Sequence, residues 1–157
     1  SHNIGATNAW RTLGKRAGIA VFIADSIKGQ AGVVLGLLLA GTPLAAVLGG
    51  LFAIIGHSFS LFLRFHGGKG VATSLGVLTM MMGNVTLIVF AIWFAIVYLT
   101  RYVSLGSVVA AFLTPVLAAL FAYPVEYIVF SVIAAVLVIV RHRENIKRLM
   151  NGTENKI

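Results

Sequence analysis

The stretch that decides the fold lies at residues 43–63 and reads PLAAVLGGLFAIIGHSFSLFL. It contains 21 residues and no lysine, arginine, aspartate or glutamate. A helix needs about 20 mostly apolar residues to cross the hydrocarbon layer of a membrane. The length and the absence of charge therefore predict a membrane-spanning helix, with Pro43 at its start, where a proline is tolerated.

Similar apolar runs occupy most of the chain. They lie at residues 17–40, 43–63, 71–83, 85–100, 104–122 and 125–140. Of the 157 residues, 59% are hydrophobic and only 10% are charged, whereas soluble domains average about 25% charged residues. The pattern predicts a single all-α integral membrane domain, residues 1–157, built as a polytopic bundle of six transmembrane helices. The two short runs, 71–83 and 85–100, are expected to form a tight helical pair around Gly83 and Asn84.

The basic residues fall on alternate connections between the apolar runs. The chain has 12 Lys and Arg against 4 Asp and Glu, and 11 of the 12 lie before the first run, after the second, after the fourth or after the sixth. Because lysine and arginine are enriched in cytoplasmic loops, these four connections are predicted to face the cytoplasm. The alternative for many of these charges is that they only set the topology.

The twelfth basic residue, Lys28, lies inside the first apolar run, three residues after Asp25. Isolated charges are costly in hydrocarbon, so the two side chains are expected to pair or to face a polar interior, in a structural role. Gly32 and Gly36 follow in the same run. Small residues four apart allow a second helix to approach closely, which predicts a helix contact on this face.

The first of three polar segments on the predicted cytoplasmic side is SHNIGATNAWR, residues 1–11. Small residues ahead of a helix start can bind an anion through their backbone N–H groups. Arg11 lies about one helical turn beyond Asn8 and would add charge. The alternative is a solvated loop in which Thr7 or Asn8 caps the helix.

The second segment is FHGGKGVAT, residues 65–73. Its glycines would let the backbone approach an oxyanion, and Lys69 would add a point charge. A helix that starts near Val71 would direct its positive end toward the same place. It is not a Walker A loop, because Leu63 stands where the first glycine should be and Gly70 follows the lysine. The alternative is a flexible turn with one lysine that reaches the interface.

The third segment is RHRENIKRL, residues 141–149. His142 and Asn145 are spaced i, i+3 and share a helix face. A basic membrane anchor would explain the arginines but not these two residues. Glu144 is positioned to pair with one of three basic neighbours, Arg141, Lys147 and Arg148.

Together the three segments resemble the motifs of the bacterial acyl-phosphate-dependent glycerol-3-phosphate acyltransferases. The matching residues are Ser1, Asn3, residues 5–8 and Arg11 for the first motif, residues 56–59 and 67–73 for the second, and residues 142–146, 148–149 and 152–154 for the third. The resemblance extends to Ala24-Asp25-x-x-Lys28-Gly29 and to Arg101-Tyr102-x-Ser104, and it covers the chain in the family's order. His2 departs from the family's usual glycine. The family fold has seven spans, so the resemblance implies that the first span precedes this sequence.

The resemblance implies transfer of an acyl group from acyl phosphate to the 1-hydroxyl of glycerol 3-phosphate, which gives lysophosphatidate and phosphate. This is the first acylation step of phospholipid biosynthesis, at the cytoplasmic face of the bacterial inner membrane. The expected partners are the two substrates and membrane lipids rather than nucleic acid, and no cofactor or metal is expected. The chain has no cysteine, which excludes thiolate catalysis.

The mechanism expected from the sequence is direct attack by the glycerol hydroxyl. The H-x-x-x-x-D pair of other glycerolipid acyltransferases is absent. No Ser-His-carboxylate arrangement stands out, because the carboxylates on the predicted cytoplasmic side are Glu144 and Glu154. A covalent acyl-enzyme is therefore not expected, and the hydroxyl proton would go to the leaving phosphate or to His142.

The resemblance and the residue chemistry together assign roles. The residues expected to hold the phosphate of glycerol 3-phosphate are Ser1, Arg11 and Lys69, with Asn3, His142 and Asn145 also touching this substrate. The residues expected to hold acyl phosphate are His57, Gly67, Gly68 and Gly70. The residues expected to act on the reacting groups are Thr7, Lys69, His142 and Asn145. The three polar segments are expected to meet at the inner leaflet.

Two non-enzymatic interpretations compete with this one. A small anion transporter would use the same basic loops as a vestibule, but it predicts polar groups across the whole membrane, and only Asp25 and Lys28 interrupt the apolar run centres. A lipid-binding scaffold would not require His142 and Asn145 beside a glycine loop.

Overall fold

The computed structural model describes residues 4–65 and 67–157, and the regular structure of these residues is entirely helical. The helices are α1 (Ala6–Leu13), α2 (Lys15–Ala40), α3 (Pro43–Ser58), a 3₁₀ turn (Leu61–Leu63), α4 (Val71–Met81), α5 (Gly83–Thr100), α6 (Val103–Leu120), α7 (Val125–Arg141) and α8 (Arg143–Met150). The predicted all-α class is confirmed. Pro43 occupies the first turn of α3, and the Thr42 hydroxyl accepts the N–H of Ala45 at 3.2 Å as its cap.

Each of the six predicted apolar runs forms a helix. By length and composition, α2, α5, α6 and α3 extended through its 3₁₀ turn are able to cross a membrane, and α7 with α8 qualifies as a pair bent by 59°. Helix α4 has 11 residues and is about 16 Å long at 1.5 Å per residue. It is shorter than the hydrocarbon layer, which is about 30 Å thick. Six membrane crossings therefore stay a prediction.

The helices group into two compact units, Ser1–Met81 and Met82–Ile157. In the first unit, α2 packs along α1, α3 and α4, and α3 also contacts α4. In the second unit, α6 packs against both α5 and α7, and α8 contacts α6 and α7. The single domain expected for residues 1–157 stays a prediction.

Glycines bring α2 and α3 together at backbone distance. A Cβ atom at Gly32 would overlap the carbonyl oxygen of Gly49, and one at Gly36 would overlap that of Ala45. The close helix approach predicted from the spacing of Gly32 and Gly36 is confirmed. Since a side chain at either position would separate the helices, this face depends on the missing Cβ atoms.

Helix α4 lies equally close to α2. A Cβ atom at Gly29 would overlap the carbonyl oxygen of Thr73, and one at Gly76 would overlap that of Ser26. The Ser26 hydroxyl also donates to the carbonyl oxygen of Ala72 at 3.2 Å. This packing fixes the short helix α4 and, with it, the position of the loop that precedes it.

Many large apolar side chains point away from the core of both units. Strongly exposed examples are Leu38, Phe52, Leu87, Leu99 and Leu120. Extensive exposed apolar surface is what helices in contact with lipid require, so the packing agrees with the composition.

Candidate active site

The glycine loop, residues 67–70, lies directly on the end of α3. The N–H of Gly68 donates to the carbonyl oxygen of His57 at 3.2 Å. A Cβ atom at Gly67 would overlap that same oxygen, and one at Gly68 would overlap the imidazole Nε2 of His57. Both glycines are buried, so the loop has no room for side chains at these two positions.

The loop ends where α4 begins, as the sequence predicted. Gly70 has φ +78°, a conformation that favours glycine, and its carbonyl oxygen accepts the N–H of Ser74 at 2.7 Å. Helix α4 starts at Val71. The half-buried Lys69 therefore lies immediately before a helix N-terminus, which carries a partial positive charge.

A buried polar cluster lies beneath the loop. The Asp25 Oδ1 atom is 3.0 Å from Lys28 Nζ and 3.3 Å from His57 Nδ1. The side chains of Asp25 and His57 are 9% and 4% exposed, while that of Lys28 is 52% exposed. The predicted pairing of Asp25 with Lys28 is confirmed.

The contact between Asp25 and His57 was missed by the sequence reasoning. The pairing of Asp25 with Lys28 follows from helical spacing, but His57 lies on another helix, and only the packing of α2 on α3 brings it near. The resemblance of both motifs to one family was the only signal that pointed to both residues.

Helix α1 carries the first motif. Gly5 is its N-cap, and the carbonyl oxygen of Gly5 accepts the N–H groups of Asn8 and Ala9 at 3.0 and 3.1 Å. The alternative in which Thr7 or Asn8 caps the helix is wrong, because both lie inside its first turn. Arg11 is exposed on this helix. Ser1 and Asn3, also predicted as site residues, lie outside the described residues.

In the second unit, a buried carboxylate organises the third motif. Glu154 Oε1 accepts hydrogen bonds from Asn145 Nδ2 at 2.6 Å and from Ser104 Oγ at 2.9 Å, and Oε2 accepts one from Arg148 Nε at 2.7 Å. The Glu154 side chain is 2% exposed. Burial by itself would raise the pKa of Glu154, but the three hydrogen bonds and the charge of Arg148 hold that pKa below its ordinary value.

The predicted partners of Glu144 are wrong. Glu144 Oε1 lies 3.6 Å from Arg143 Nε, and both side chains are largely exposed. Arg148 pairs instead with Glu154, which lies beyond the end of α8. Helical spacing favoured Glu144, but a turn after Met150 returns the chain and brings the later carboxylate to the buried side.

His142 lies at the bend between α7 and α8. Its ring is buried, and Nδ1 lies 2.8 Å from the carbonyl oxygen of Val138. Since a carbonyl oxygen only accepts, Nδ1 carries the proton, and Nε2 is the basic nitrogen of the neutral ring. His142 and Asn145 are both buried.

The segment after α8 lies along the turn between α5 and α6. Arg101 Nε donates to the carbonyl oxygen of Ile157 at 2.9 Å, and the N–H of Ile157 donates to the carbonyl oxygen of Arg101 at 3.1 Å. Lys156 Nζ lies 5.3 Å from the ring centroid of Tyr102. Two of the basic connections therefore meet in the second unit, and their cytoplasmic orientation stays a prediction.

The described residues thus bring Gly68 to His57 and Asp25 in the first unit, and Asn145 to Glu154, Arg148 and Ser104 in the second. Within residues 4–65 and 67–157, no three His, Asp or Glu side chains cluster closely enough to hold a metal ion. The expected meeting of Arg11, Lys69 and Asn145 stays a prediction.

Apolar helices with buried polar clusters define the chain as a polytopic integral membrane protein. Within that class it belongs to the glycerol-3-phosphate acyltransferases, because the family model described as glycerol-3-phosphate acyltransferase matches residues 1–152. The chain is 48% identical to the glycerol-3-phosphate acyltransferase of Carboxydothermus hydrogenoformans, over 100% of this chain and 80% of that protein. Its identity to glycerol-3-phosphate acyltransferase 2 of Moorella thermoacetica is also 48%, with the same coverage.

The fold agrees with this family. The chain is similar to the crystal structure of PlsY (YgiH), an integral membrane glycerol 3-phosphate acyltransferase, in its glycerol 3-phosphate form, with a TM-score of 0.94 and 38% identity. The match covers 99% of this chain and 78% of that one. The lysophosphatidic acid form of PlsY matches with a TM-score of 0.93. The resemblance stated from the motifs is confirmed, and the family's reaction belongs to phospholipid biosynthesis.

Proposed function

We propose that this chain transfers an acyl group from acyl phosphate to the 1-hydroxyl of glycerol 3-phosphate, releasing phosphate and lysophosphatidate. The two crystal forms of PlsY, with glycerol 3-phosphate and with lysophosphatidic acid, support this choice of acceptor and product. The reaction takes place at the cytoplasmic face of the bacterial inner membrane, where the acyl chain remains in lipid and the polar acceptor arrives from water.

The observation that carries the choice of donor is the glycine loop. The backbone of Gly67 and Gly68 contacts His57 so closely that neither position has room for a Cβ atom. Gly70, with its positive φ, immediately precedes the N-terminus of α4. A bare backbone beside a helix N-terminus suits a phosphate group. Acyl phosphate carries such a group on the reacting carbonyl, whereas an acyl thioester carries none there.

The remaining charges suit the acceptor. Ser1, Arg11 and Lys69 hold the phosphate of glycerol 3-phosphate, and arginine adds the two-pronged geometry that matches phosphate oxygens. Asn3, Thr7, His142 and Asn145 orient the hydroxyl and the carbonyl. Both substrates are anionic, so positive charge at the loop must offset their repulsion, and electrostatic stabilisation of this kind is often the largest catalytic contribution.

The chemistry is a single acyl transfer. The 1-hydroxyl oxygen attacks the carbonyl carbon, the bond from that carbon to the phosphate oxygen breaks, and the hydroxyl proton passes to the leaving phosphate. The Asp25–His57 pair has the form of two members of a catalytic triad. However, His57 Nε2 faces Gly68, which carries no nucleophilic side chain, and this supports direct transfer without an acyl-enzyme.

The donor is tested with purified protein in lipid nanodiscs. Acyl phosphate and glycerol 3-phosphate should give equal amounts of phosphate and lysophosphatidate, and an acyl thioester should give neither. Mass spectrometry of protein quenched during turnover should find no acylated chain. Turnover with the thioester alone, or a covalently acylated protein, would contradict the proposal.

The proton acceptor is tested with His142→Gln. If the leaving phosphate takes the proton, the variant has a lower kcat but keeps the pH dependence of kcat. A variant in which the acidic limb of the profile disappears would assign the proton to His142 instead.

The membrane orientation is tested with single cysteines, since the chain has none of its own. Val125 begins α7 and Arg143 lies just beyond its other end, at the start of α8, and both are exposed. In intact cells, a membrane-impermeant maleimide should label Val125→Cys and spare Arg143→Cys. The reverse labelling pattern would put the proposed site on the outer face.

A further inference from the structure

We infer that Asp25 is a positioning residue that holds the imidazole of His57 in the orientation that shapes the turn at Gly67 and Gly68. The inference rests on the proposed role of that turn in binding acyl phosphate. It assigns to Asp25 a part in donor binding, beyond the structural pairing with Lys28 expected from the sequence.

One edge of the imidazole faces Asp25. The distance from His57 Nδ1 to Asp25 Oδ1 is 3.3 Å, and both side chains are at least nine-tenths buried. The contact is an ion-pair approach outside hydrogen-bond geometry, and because a carboxylate oxygen only accepts, it is favourable when Nδ1 carries the proton. Lys28 Nζ lies 3.0 Å from the same carboxylate oxygen and balances its charge. The carboxylate thereby favours the ring orientation that points Nδ1 toward α2.

The other edge of the imidazole faces the loop. The ring atoms Nε2, Cε1 and Cδ2 of His57 are the three atoms that a Cβ at Gly68 would meet first. The main chain of His57 also receives the N–H of Gly68. The ring therefore lies as a wedge between the carboxylate of Asp25 and the backbone of the turn.

This arrangement links a residue in α2 to the geometry of the loop. Without Asp25, the ring is able to rotate, and its opposite edge no longer meets Gly68 at a fixed distance. A misplacement of about 1 Å in a substrate-binding group costs up to about 100-fold in rate. The loss should appear mainly in the kinetic constants for acyl phosphate, because the turn at Gly67 and Gly68, which is proposed to bind that substrate, changes position.

The kinetic test replaces Asp25 by Asn. The variant should lose roughly 10- to 100-fold in kcat/KM for acyl phosphate, mainly through a higher KM for that substrate, while the KM for glycerol 3-phosphate, to which Lys69 of the same loop contributes, rises clearly less. Asp25→Glu should recover part of the loss. Lys28→Met, which keeps the contact between Asp25 and His57, should show a clearly smaller effect. Equal rises in the KM for both substrates would overturn the inference.

A double substitution tests the wedge itself. Gly68→Ala should lower the thermal unfolding temperature, because its methyl group overlaps the His57 ring. Adding His57→Ala removes that ring and should recover most of the lost stability. The matched control is Gly67→Ala, which overlaps the main-chain oxygen of His57 and should gain nothing from His57→Ala. Failure of the double variant to recover would contradict the geometry.

A third measurement separates this inference from the proposed function. The 15N NMR signals of the histidine rings report which nitrogen is protonated, and His57→Gln assigns the signals of His57 among the four histidines. Asp25→Asn should change the His57 signals, and unchanged signals would overturn the inference. If the wild-type protein fails to use acyl phosphate, the proposed donor is wrong, and this readout still decides whether Asp25 holds the ring.

Discussion

Asn145 and Glu154, nine residues apart, are joined by a hydrogen bond of 2.6 Å from Nδ2 of the amide to Oε1 of the carboxylate. Because a carboxylate only accepts hydrogen bonds, the contact fixes which end of the amide faces Glu154. The same carboxylate binds Ser104 at the start of α6 and Arg148 on α8. Glu154 therefore holds three parts of the second unit together.

The first prediction concerns the stability of this cluster. Glu154→Gln replaces one accepting oxygen by an amide that faces the N–H of Arg148, and it leaves this partly exposed arginine without its counter-charge. Breaking a fully buried ion pair costs about 3 kcal/mol or more, whereas a solvent-exposed pair contributes less than about 1 kcal/mol. Because the Arg148 side chain is 38% exposed, a loss of about 2 kcal/mol lies between these limits. We expect a loss of that size in the free energy of unfolding, measured by denaturant unfolding in detergent micelles.

The matched control for this substitution is Glu144→Gln. Glu144 is exposed and lies 3.6 Å from an exposed arginine, so its removal should change stability by less than about 1 kcal/mol. Similar losses in the two variants would show that Glu154 does not hold the unit together.

The second prediction concerns pH. The pKa of Glu154 in the folded protein lies below its ordinary value of 4.5, so the unfolded chain binds its proton first as the pH falls. The stabilisation from Glu154 is present above about pH 4.5 and disappears as the pH falls through the lower folded pKa. Unfolding followed from pH 7 to pH 3 should show this loss in the wild-type protein, and a smaller slope in Glu154→Gln. Identical slopes would contradict the assignment.

The third prediction concerns the contact between α2 and α4. Gly76→Ala would push a methyl group into the main chain of Ser26, and overpacking of this kind costs about 1–3 kcal/mol. The control is Gly56→Ala, also in a helix, where the added methyl group meets nothing within 4 Å and helix propensity improves by up to about 1 kcal/mol. Thermal unfolding of the two variants should therefore shift in opposite directions.

The fourth prediction concerns the proposed phosphate-binding charges. Lys69→Met should lower kcat/KM at least 100-fold, a loss of about 3 kcal/mol in transition-state stabilisation. Arg11→Lys keeps the charge but loses the two-pronged geometry, so it should mainly raise the KM for glycerol 3-phosphate.

Arg16→Gln is the control for these two variants. Arg16 lies in the first turn of α2 and has no assigned role beyond topology. Its replacement should leave kcat/KM and the KM for glycerol 3-phosphate close to the wild-type values. A loss in Arg16→Gln as large as that in Lys69→Met would indicate that net charge, rather than position, accounts for the effect.

Local patterns in the sequence were sufficient for the helices and for contacts within one helix. The apolar runs predicted where the six apolar helices lie, the spacing of Gly32 and Gly36 predicted a close helix contact, and the spacing of Asp25 and Lys28 predicted their pairing. All of these depend on helical periodicity, which is visible in a few consecutive residues.

Contacts between distant segments could not be derived in the same way. The carboxylate of Asp25 reaches His57 only through the packing of α2 on α3. Glu154 displaces Glu144 as the partner of Arg148 only because the chain turns back after α8. In each case a partner close in sequence, Lys28 for Asp25 and Glu144 for Arg148, accounted for the charge. The additional contact depends on burial of a residue from a distant segment, His57 or Glu154.

The triad formed by Lys28, Asp25 and His57 also has a consequence for biogenesis. The acid and the lysine are one helical turn apart, so α2 carries its own neutralising pair and is able to partition into lipid before α3 packs against it. His57 contacts Asp25 only after the next helix, α3, has packed against α2. Insertion and assembly are thereby separable events, and a chain arrested between them would be embedded in the membrane without the contact between His57 and the turn at Gly67 and Gly68.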